Sequence, residues 1–355
     1  MKHNIYVVLL YETISMPKTN LKAFSGQELE SLFREWDLPA FRARQFLHWI
    51  YERHAVSIEG ITEFSKDLRE KLAEKAYVSN LALLEKRIAD DGTEKFLFGL
   101  EDGESVESVL IPDDNRLTLC ISSQVGCAMR CRFCITGKLG LRRNLRAFEI
   151  VDQIISANRL ISPRRITNVV LMGMGEPLAN FDEVVQALWR IREHLKISKR
   201  RITLSTAGIV AGIRELPERA PRINLAISLN ATTDAVRQRI MPVAKANPIT
   251  ALLDACRRFP LQRGRRITFE YVLLKGVNDT SEDAKRLTAL LKGIPAKVNL
   301  IPFNPHEGSE FQRPDDERVF SFQAILMAGN LTAFVRKSKG ADILAACGQL
   351  KAGYR

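Results

Sequence analysis

Leu117-Thr-Leu-Cys-Ile-Ser-Ser-Gln-Val-Gly-Cys-Ala-Met-Arg-Cys-Arg-Phe-Cys-Ile135 runs from an apolar stretch straight into three closely spaced cysteines. Leu117–Ile121 reads as a strand, because a short apolar run bounded by polar and turn residues suits a buried sheet position. Cys127, Cys131 and Cys134 follow in the spacing C-x3-C-x2-C, with no fourth cysteine or histidine nearby. A structural zinc site closes with four protein ligands. A cubane iron–sulfur cluster ordinarily takes four thiolates. Three thiolates in one loop leave one position of such a cluster open, and an open metal position is a place for chemistry.

Downstream, apolar strand runs at Val169–Met172, Ile202–Leu204, Ile223–Leu229, Ile267–Leu274 and Val298–Pro302 alternate with helical patterns such as Phe148–Leu160, Phe181–Leu195 and Ser281–Leu291. Strand–helix alternation builds a parallel sheet. With Leu117–Ile121 this makes six units, two short of a closed eight-unit barrel. The predicted fold class is therefore α/β: a partial, open six-unit barrel that suits a large substrate entering from the side. The cysteine loop follows the first barrel strand, at the end where barrel enzymes carry their active sites.

Upstream the pattern changes. Leu81–Ala89, Glu94–Leu100 and Val106–Pro112 read as strands, with turns at Asp90-Asp91-Gly92 and Pro112-Asp113-Asp114-Asn115. Before them, Ser25 caps a helix that Pro39 closes, and Phe41–Tyr51 and Ser65–Ala76 give two more helical stripes. The aromatics of this module read as core packing. Residues 1–19 read as an extension without structural role, 20–80 as a helical accessory domain, 81–115 as a β extension or linker, and 116–355 as the barrel with a C-terminal cysteine segment. Met16 is an alternative start, since the helical pattern settles only after it.

Composition narrows the class. The 355 residues carry 53 Lys and Arg against 41 Asp and Glu, a net charge of +12. Such a balance points to a polyanionic partner, most simply nucleic acid. Six cysteines in this length are too few for a disulfide scaffold. Ile5–Leu10 is a short apolar run without a small-residue cleavage site after it, and no stretch is long enough to span a membrane. The chain is expected in a reducing cytoplasm, where grouped cysteines mean metal or catalysis.

The strand Val169–Met172 ends in Leu171-Met-Gly-Met-Gly-Glu-Pro177, whose glycines let backbone approach a ligand closely. The cysteine loop and this Gly-rich turn together resemble the radical S-adenosylmethionine (radical SAM) superfamily. More narrowly, the chain resembles the RlmN-type dual-specificity RNA adenine-C2 methyltransferases. That likeness covers residue 20 onward and rests also on Cys120-Ile-Ser-Ser-Gln-Val-Gly-Cys127, Leu204-Ser-Thr206, Ser228-Leu-Asn230, Ile301-Pro-Phe-Asn-Pro305 and Ala345-Ala-Cys-Gly-Gln-Leu350. In one departure, Asn230 stands where many relatives have histidine.

The resemblance implies a 4Fe–4S cluster on Cys127, Cys131 and Cys134, with S-adenosylmethionine on the open iron and cleaved there to a 5′-deoxyadenosyl radical. It implies that Gly175, Glu176, Ser205, Ser228, Leu229, Asn230 and Asn304 bind S-adenosylmethionine. It implies that Cys347 takes a methyl group from a first S-adenosylmethionine, that the methylene radical made from it adds to adenine C2, and that Cys120 resolves the adduct through a transient disulfide with Cys347. Glu107 matches the assigned proton acceptor, a role also open to Cys120. The substrates it implies are adenine 2503 of 23S rRNA and adenine 37 of tRNA. The expected electron donor is an external flavodoxin-like protein, and the expected state is a monomer without membrane contact.

Read alone, Cys120 would be a buried strand residue and Cys347 a packing residue near the C-terminus. Cys256 has no motif around it and reads as structural. Basic residues lie beside the cysteine loop at Lys138, Arg142, Arg143 and Arg146, the first candidates for RNA phosphate contacts. Others lie at Arg164-Arg165, Lys199-Arg-Arg201, Arg263–Arg266 and Arg336–Lys339. The base must leave its stack to meet Cys347. The helical module resembles the family's accessory RNA-binding domain. Two rival readings remain: a Cfr-type methyltransferase acting at C8 of the same adenine, and a non-catalytic zinc-bearing RNA-binding protein with Cys120 as fourth ligand.

Overall fold

A computed structural model describes residues 18–351. The expectations for Met16 and for Ile5–Leu10 lie outside the described residues. The chain divides into two compact units, the first ending at Ser79 and the second beginning at Asn80.

The first unit pairs β1 (Thr19–Asn20) in parallel with β2 (Ala76–Tyr77) and packs three helices, α1 (Gly26–Glu35), α2 (Phe41–Tyr51) and α3 (Lys66–Lys75). Ser25 begins α1 with a reciprocal cap: its hydroxyl accepts from the Glu28 N–H, and its own N–H donates to the Glu28 carboxylate at 2.7 Å. Such a box satisfies two backbone donors that the first turn leaves open. Leu29, Phe33, Phe46 and Ile50 lie in the core, but Phe41, expected there with the other aromatics, is exposed at the first position of α2.

The second unit is built on one sheet. Its strands are β3 (Ala82–Ile88), β4 (Glu94–Gly99), β5 (Ser105–Asp113), β6 (Arg116–Cys120), β9 (Asn168–Leu171), β10 (Ile202–Thr206), β11 (Asn224–Ser228), β12 (Ile267–Leu273), β13 (Ala296–Pro302) and β14 (Ala333–Val335). A small antiparallel pair, β7 (Gln124–Gly126) and β8 (Leu141–Asn144), brackets the cysteine loop and the short helix α4 (Ile135–Leu139). The crossovers are α5 (Ala147–Ile161), α6 (Phe181–Glu193), α7 (Val210–Arg219), α8 (Asp234–Ile240) with α9 (Ile249–Arg258), α10 (Ser281–Leu290) and α11 (Asp316–Ala328).

The sheet order is β14-β13-β12-β11-β10-β9-β6-β5-β4-β3, parallel from β14 to β6 and antiparallel beyond. Residues 81–115, read as a β extension or linker, hold β3, β4 and β5, which continue the barrel sheet. One feature differs from the sequence reading. A seventh parallel strand, β14, pairs with β13. At three residues it is too short to carry a periodic signal.

The register places the site. Paired residues on neighbouring parallel strands point to the same face. Ser205 pairs with Ala226, Ser228 with Glu270, Glu270 with Asn299, and Val272 with Ile301. One face of the sheet thus carries Ser205, Ser228, Glu270 and Val272 in succession, and the loops at the strands' C-terminal ends close over it.

Candidate active site

The cysteine loop is held by backbone. The Cys127 N–H donates to the Gly140 carbonyl at 2.7 Å, and the Cys134 N–H to the Cys131 carbonyl at 3.1 Å. Gly126 makes this closure possible: its φ is +77°, and a Cβ there would lie 1.9 Å from the Gly140 oxygen. The three cysteines face one open cleft of about 950 Å3, which also reaches Gly173, Gly175, Glu176, Ser205, Ser228, Asn230, Asn304 and Cys347. These residues, spread over 175 positions of sequence from Gly173 to Cys347, meet the loop as the barrel reading requires.

The donor set fits an anionic multi-metal centre. Burial pushes the Cys127 thiol up to about 12, and raises Cys131 and Cys134 as well. Buried thiols favour the neutral form until a cation replaces the proton. Among the described residues, no three His, Cys, Asp or Glu side chains converge on a single ion position. Cys120, the fourth ligand of the zinc reading, packs against Val109 and Met174 and does not line the cleft that the three loop cysteines share. The three-cysteine arrangement is compatible with a cluster in which each thiolate holds its own iron.

Several expected cofactor contacts turn out to be occupied by the protein itself. The Glu176 carboxylate accepts from the Leu178 N–H at 2.9 Å and from the Ala207 N–H at 2.6 Å, tying the turn after β9 to the end of β10. Burial nevertheless raises its pKa. Asn230 sits at φ +56°, a left-handed conformation that asparagine tolerates better than most residues. Its amide donates to the Met241 sulfur at 3.2 Å and accepts from the Val272 N–H at 2.8 Å. Leu229 is buried and does not line the cleft. Ser205 and Ser228 do line it.

The segment carrying Cys347 is strapped down along its length. The Ile135 N–H donates to the Gly348 carbonyl at 2.8 Å, and the Thr136 hydroxyl to the Leu350 carbonyl at 2.7 Å. Asn304 donates to the Cys347 carbonyl at 3.2 Å and accepts from Ser338. Cys347 itself is exposed to the open cleft while protein crowds its other sides, and burial followed by the Glu270 carboxylate pushes its thiol up to about 11. Cys120 lies outside the cleft, packed with Val109, Met174, Ala345 and Leu350. Its thiol is raised by burial and next by Cys347. Both are free thiols. Glu107 also lies outside the cleft: its carboxylate pairs with Lys95 at 3.0 Å and accepts from the Lys351 N–H at 2.7 Å.

Two residues escaped the sequence reading. Glu270 is a buried carboxyl on the cleft floor, 3.0 Å from the Asn299 amide and raised by burial. The visible signal was an acid inside the apolar run Ile267–Leu273. Arg237 is fully buried on α8 and donates to the carbonyls of Leu229 at 3.1 Å, Asn247 at 3.0 Å and Ala207 at 2.6 Å. It clamps the loops after β10 and β11. Nothing local in the sequence marked it.

The basic group beside the loop is less open than its sequence suggests. Arg143 forks onto Glu149 at 2.8 and 2.9 Å and also meets Asp102. Arg142 pairs with Glu104 at 3.0 Å, and Lys138 donates to the Gly308 carbonyl at 2.7 Å. Arg146 is exposed at the start of α5.

Comparison with known proteins now adds its own findings. A family model described as the radical SAM superfamily matches residues 121–288, and one described as the ribosomal RNA large subunit methyltransferase N-terminal domain matches residues 19–78. The dual-specificity RNA methyltransferase RlmN of Pelobacter propionicus is 51% identical over 336 residues, covering 94% of this chain and 96% of that protein. Its counterpart from Geobacter sulfurreducens is 52% identical over 335 residues, covering 94% and 92%. The crystal structure of a radical SAM methyltransferase from Sphaerobacter thermophilus matches with a TM-score of 0.90 at 42% identity, covering 94% of this chain and 99% of that one. Among the described residues, no helix is long and apolar enough to cross a membrane.

Proposed function

The chain belongs to the RlmN family of radical SAM RNA methyltransferases, and on that footing we propose that it methylates carbon 2 of an adenine in 23S rRNA and in tRNA. The observation that carries this reading is Cys347: an exposed thiol placed in the same cleft as the three loop cysteines. Cys127, Cys131 and Cys134 would hold the 4Fe–4S cluster, and the turn at Gly175, with Ser205, Ser228 and Asn304, would hold S-adenosylmethionine. When bound, that pair supplies one-electron cleavage of S-adenosylmethionine to a carbon radical able to abstract hydrogen.

The remaining roles fall to the chain. Adenine C2 is an electron-poor carbon, so direct polar methylation is unfavourable, and Cys347 serves as a methyl carrier. It takes a methyl on its sulfur and presents that carbon to C2 in the cleft. Cys120, packed behind it and acting as a thiolate, then attacks the Cys347 sulfur; an S–S bond forms as the carbon–sulfur bond breaks, the electron pair of that bond stays on the former methylene carbon, and a proton added there completes the methyl group on the base. Glu107 takes the C2 proton; because it lies outside the cleft and accepts from the Lys351 N–H, proton removal is coupled to movement of the carrier segment. Asn230 acts through Val272 and Met241, shaping the cleft wall.

Digestion of RNA treated with the reconstituted enzyme, followed by mass spectrometry, tests the assignment. A methyl group on C2 is the expected result, with none formed by Cys347→Ala. A methyl group on C8 would overturn the positional assignment and favour the C8 rival. Methylation by Cys347→Ala at the normal rate would overturn the carrier mechanism.

A further inference from the structure

Basic residues far apart in the sequence, Lys199, Arg200, Arg222, Arg265 and Arg266, meet around one hollow of about 550 Å3. The hollow lies at the N-terminal ends of β10, β11 and β12, the end of the barrel opposite the cleft. Among the described residues, no Asp or Glu lines it. Several arginines elsewhere are neutralised by acids: Arg132 by Glu310, Arg164 by Glu94, Arg214 by Asp254 and Arg219 by Asp182. Here Arg265 is held by the Asn224 side-chain oxygen at 3.2 Å and Arg266 by the Thr332 hydroxyl at 2.8 Å, neutral partners that leave the charge in place.

The positive field extends inward. Lys297, at the start of β13, has its ammonium held below the ordinary value first by burial and then by Arg266, with Arg336 and Arg265 adding to the effect and Glu270 opposing it. Like charges gathered this way repel one another, and an anion bound among them relieves that cost.

We propose that this hollow is a second RNA-contacting surface, which holds backbone phosphates of a helical stem adjoining the target adenine. The proposal rests on the RNA-methylating reading above. Strand β10 has five residues. At about 3.3 Å per residue, the hollow and the cleft mouth stand roughly 15 Å apart along the barrel wall. A structured RNA spans that distance; a free nucleotide does not. Phosphate contacts of this kind position the RNA without reading its sequence.

The test compares the unaltered protein with Arg200→Gln/Arg222→Gln and Arg200→Glu/Arg222→Glu. Both side chains are exposed and far from the cysteine loop. The probes are two hairpin RNAs with the same loop adenine, one short-stemmed and one long-stemmed, titrated at several salt concentrations. For the long stem, the glutamine pair should weaken binding about tenfold, and the slope of log affinity against log salt should fall by roughly 0.7–0.9 per lost contact. The glutamate pair should weaken it further, while the short stem binds all three proteins alike. Binding of S-adenosylmethionine and its cleavage without RNA should not change. Equal affinities and slopes on the long stem, with the unaltered protein binding it normally, would overturn the proposal. Salt-independent or absent RNA binding by the unaltered protein would overturn the RNA reading itself, and the hollow with it.

Discussion

Lys95 and Glu107 form a buried ion pair at 3.0 Å, each side chain 7% exposed, and each also grips the segment that carries Cys347. Lys95 donates to the Leu344 carbonyl at 3.2 Å, and Glu107 accepts from the Lys351 N–H at 2.7 Å. Two neighbouring strands of the antiparallel extension, β4 and β5, thus hold both ends of the carrier segment. Through this pair the extension braces the segment that carries Cys347.

Removing one member of a buried pair strands the other charge, at a cost of about 3–5 kcal/mol. Lys95→Met should therefore lower thermal stability and speed proteolysis of the C-terminal segment. Glu107→Gln should do the same and, on the proposed mechanism, also lose the proton acceptor, a role worth roughly 10²–10⁴ in rate. The expected outcome is that turnover of Glu107→Gln falls well below that of Lys95→Met. Equal losses in single-turnover assays would leave Glu107 with the anchoring role alone.

A second expectation concerns the loop backbone. Gly126→Ala would place a Cβ 1.9 Å from the Gly140 carbonyl, at a φ that alanine disfavours. The β7–β8 pair must open, and the three thiols lose their common orientation. Anaerobic reconstitution with iron and sulfide should then give little absorbance near 400 nm, roughly where thiolate–iron bands are expected. Gly60→Ala, in the first unit, where the backbone is not left-handed and the nearest atom to a Cβ is 3.5 Å away, is the control and should load normally. Full loading of Gly126→Ala would show that the loop tolerates rearrangement.

What the sequence made legible was local. Strand runs, the cysteine spacing and the Gly-rich turn each lie within a few residues, and the barrel order follows from their alternation. Contacts between distant segments stayed hidden. Lys95 meets Leu344 across 249 positions, and Asn304 meets Cys347 across 43. The surroundings of the charge beside the cysteine loop were hidden for a related reason: Asp102 and Glu104, 38 or more positions upstream, return in space to pair with Arg143 and Arg142. Arg237 answers to backbone carbonyls, and carbonyls carry no sequence signal. β14 was missed because three residues define no period.

The Cys347 thiol, pushed up to about 11, should show that shift in its chemistry. The thiolate is the reactive form, so a raised pKa means slow alkylation near neutral pH. Carbamidomethylation of Cys347 should climb about tenfold per pH unit from pH ~7 and level off near 11. Since Glu270 is the second cause of the shift, Glu270→Gln should move the profile to lower pH and speed alkylation at pH ~8. Peptide mass spectrometry reads the rate at this site directly. A profile centred at the ordinary thiol value in both proteins would mean that neither burial nor Glu270 acts on it.

The last expectation separates the two cysteines of the proposed mechanism. Cys347 faces the cleft and Cys120 packs behind it against Val109, Met174, Ala345 and Leu350. Cys347→Ala should retain iron and S-adenosylmethionine but never receive the methyl group. Cys120→Ala should receive it and attack the RNA, and then stall, because no second thiol is present to form the S–S bond that releases the base. A covalent protein–RNA adduct should accumulate in Cys120→Ala and be absent from Cys347→Ala. Denaturing gels of protein incubated with labelled RNA, S-adenosylmethionine and a reductant would reveal it. Free methylated RNA from Cys120→Ala at the normal rate would remove the resolving role and return Cys120 to a buried strand residue.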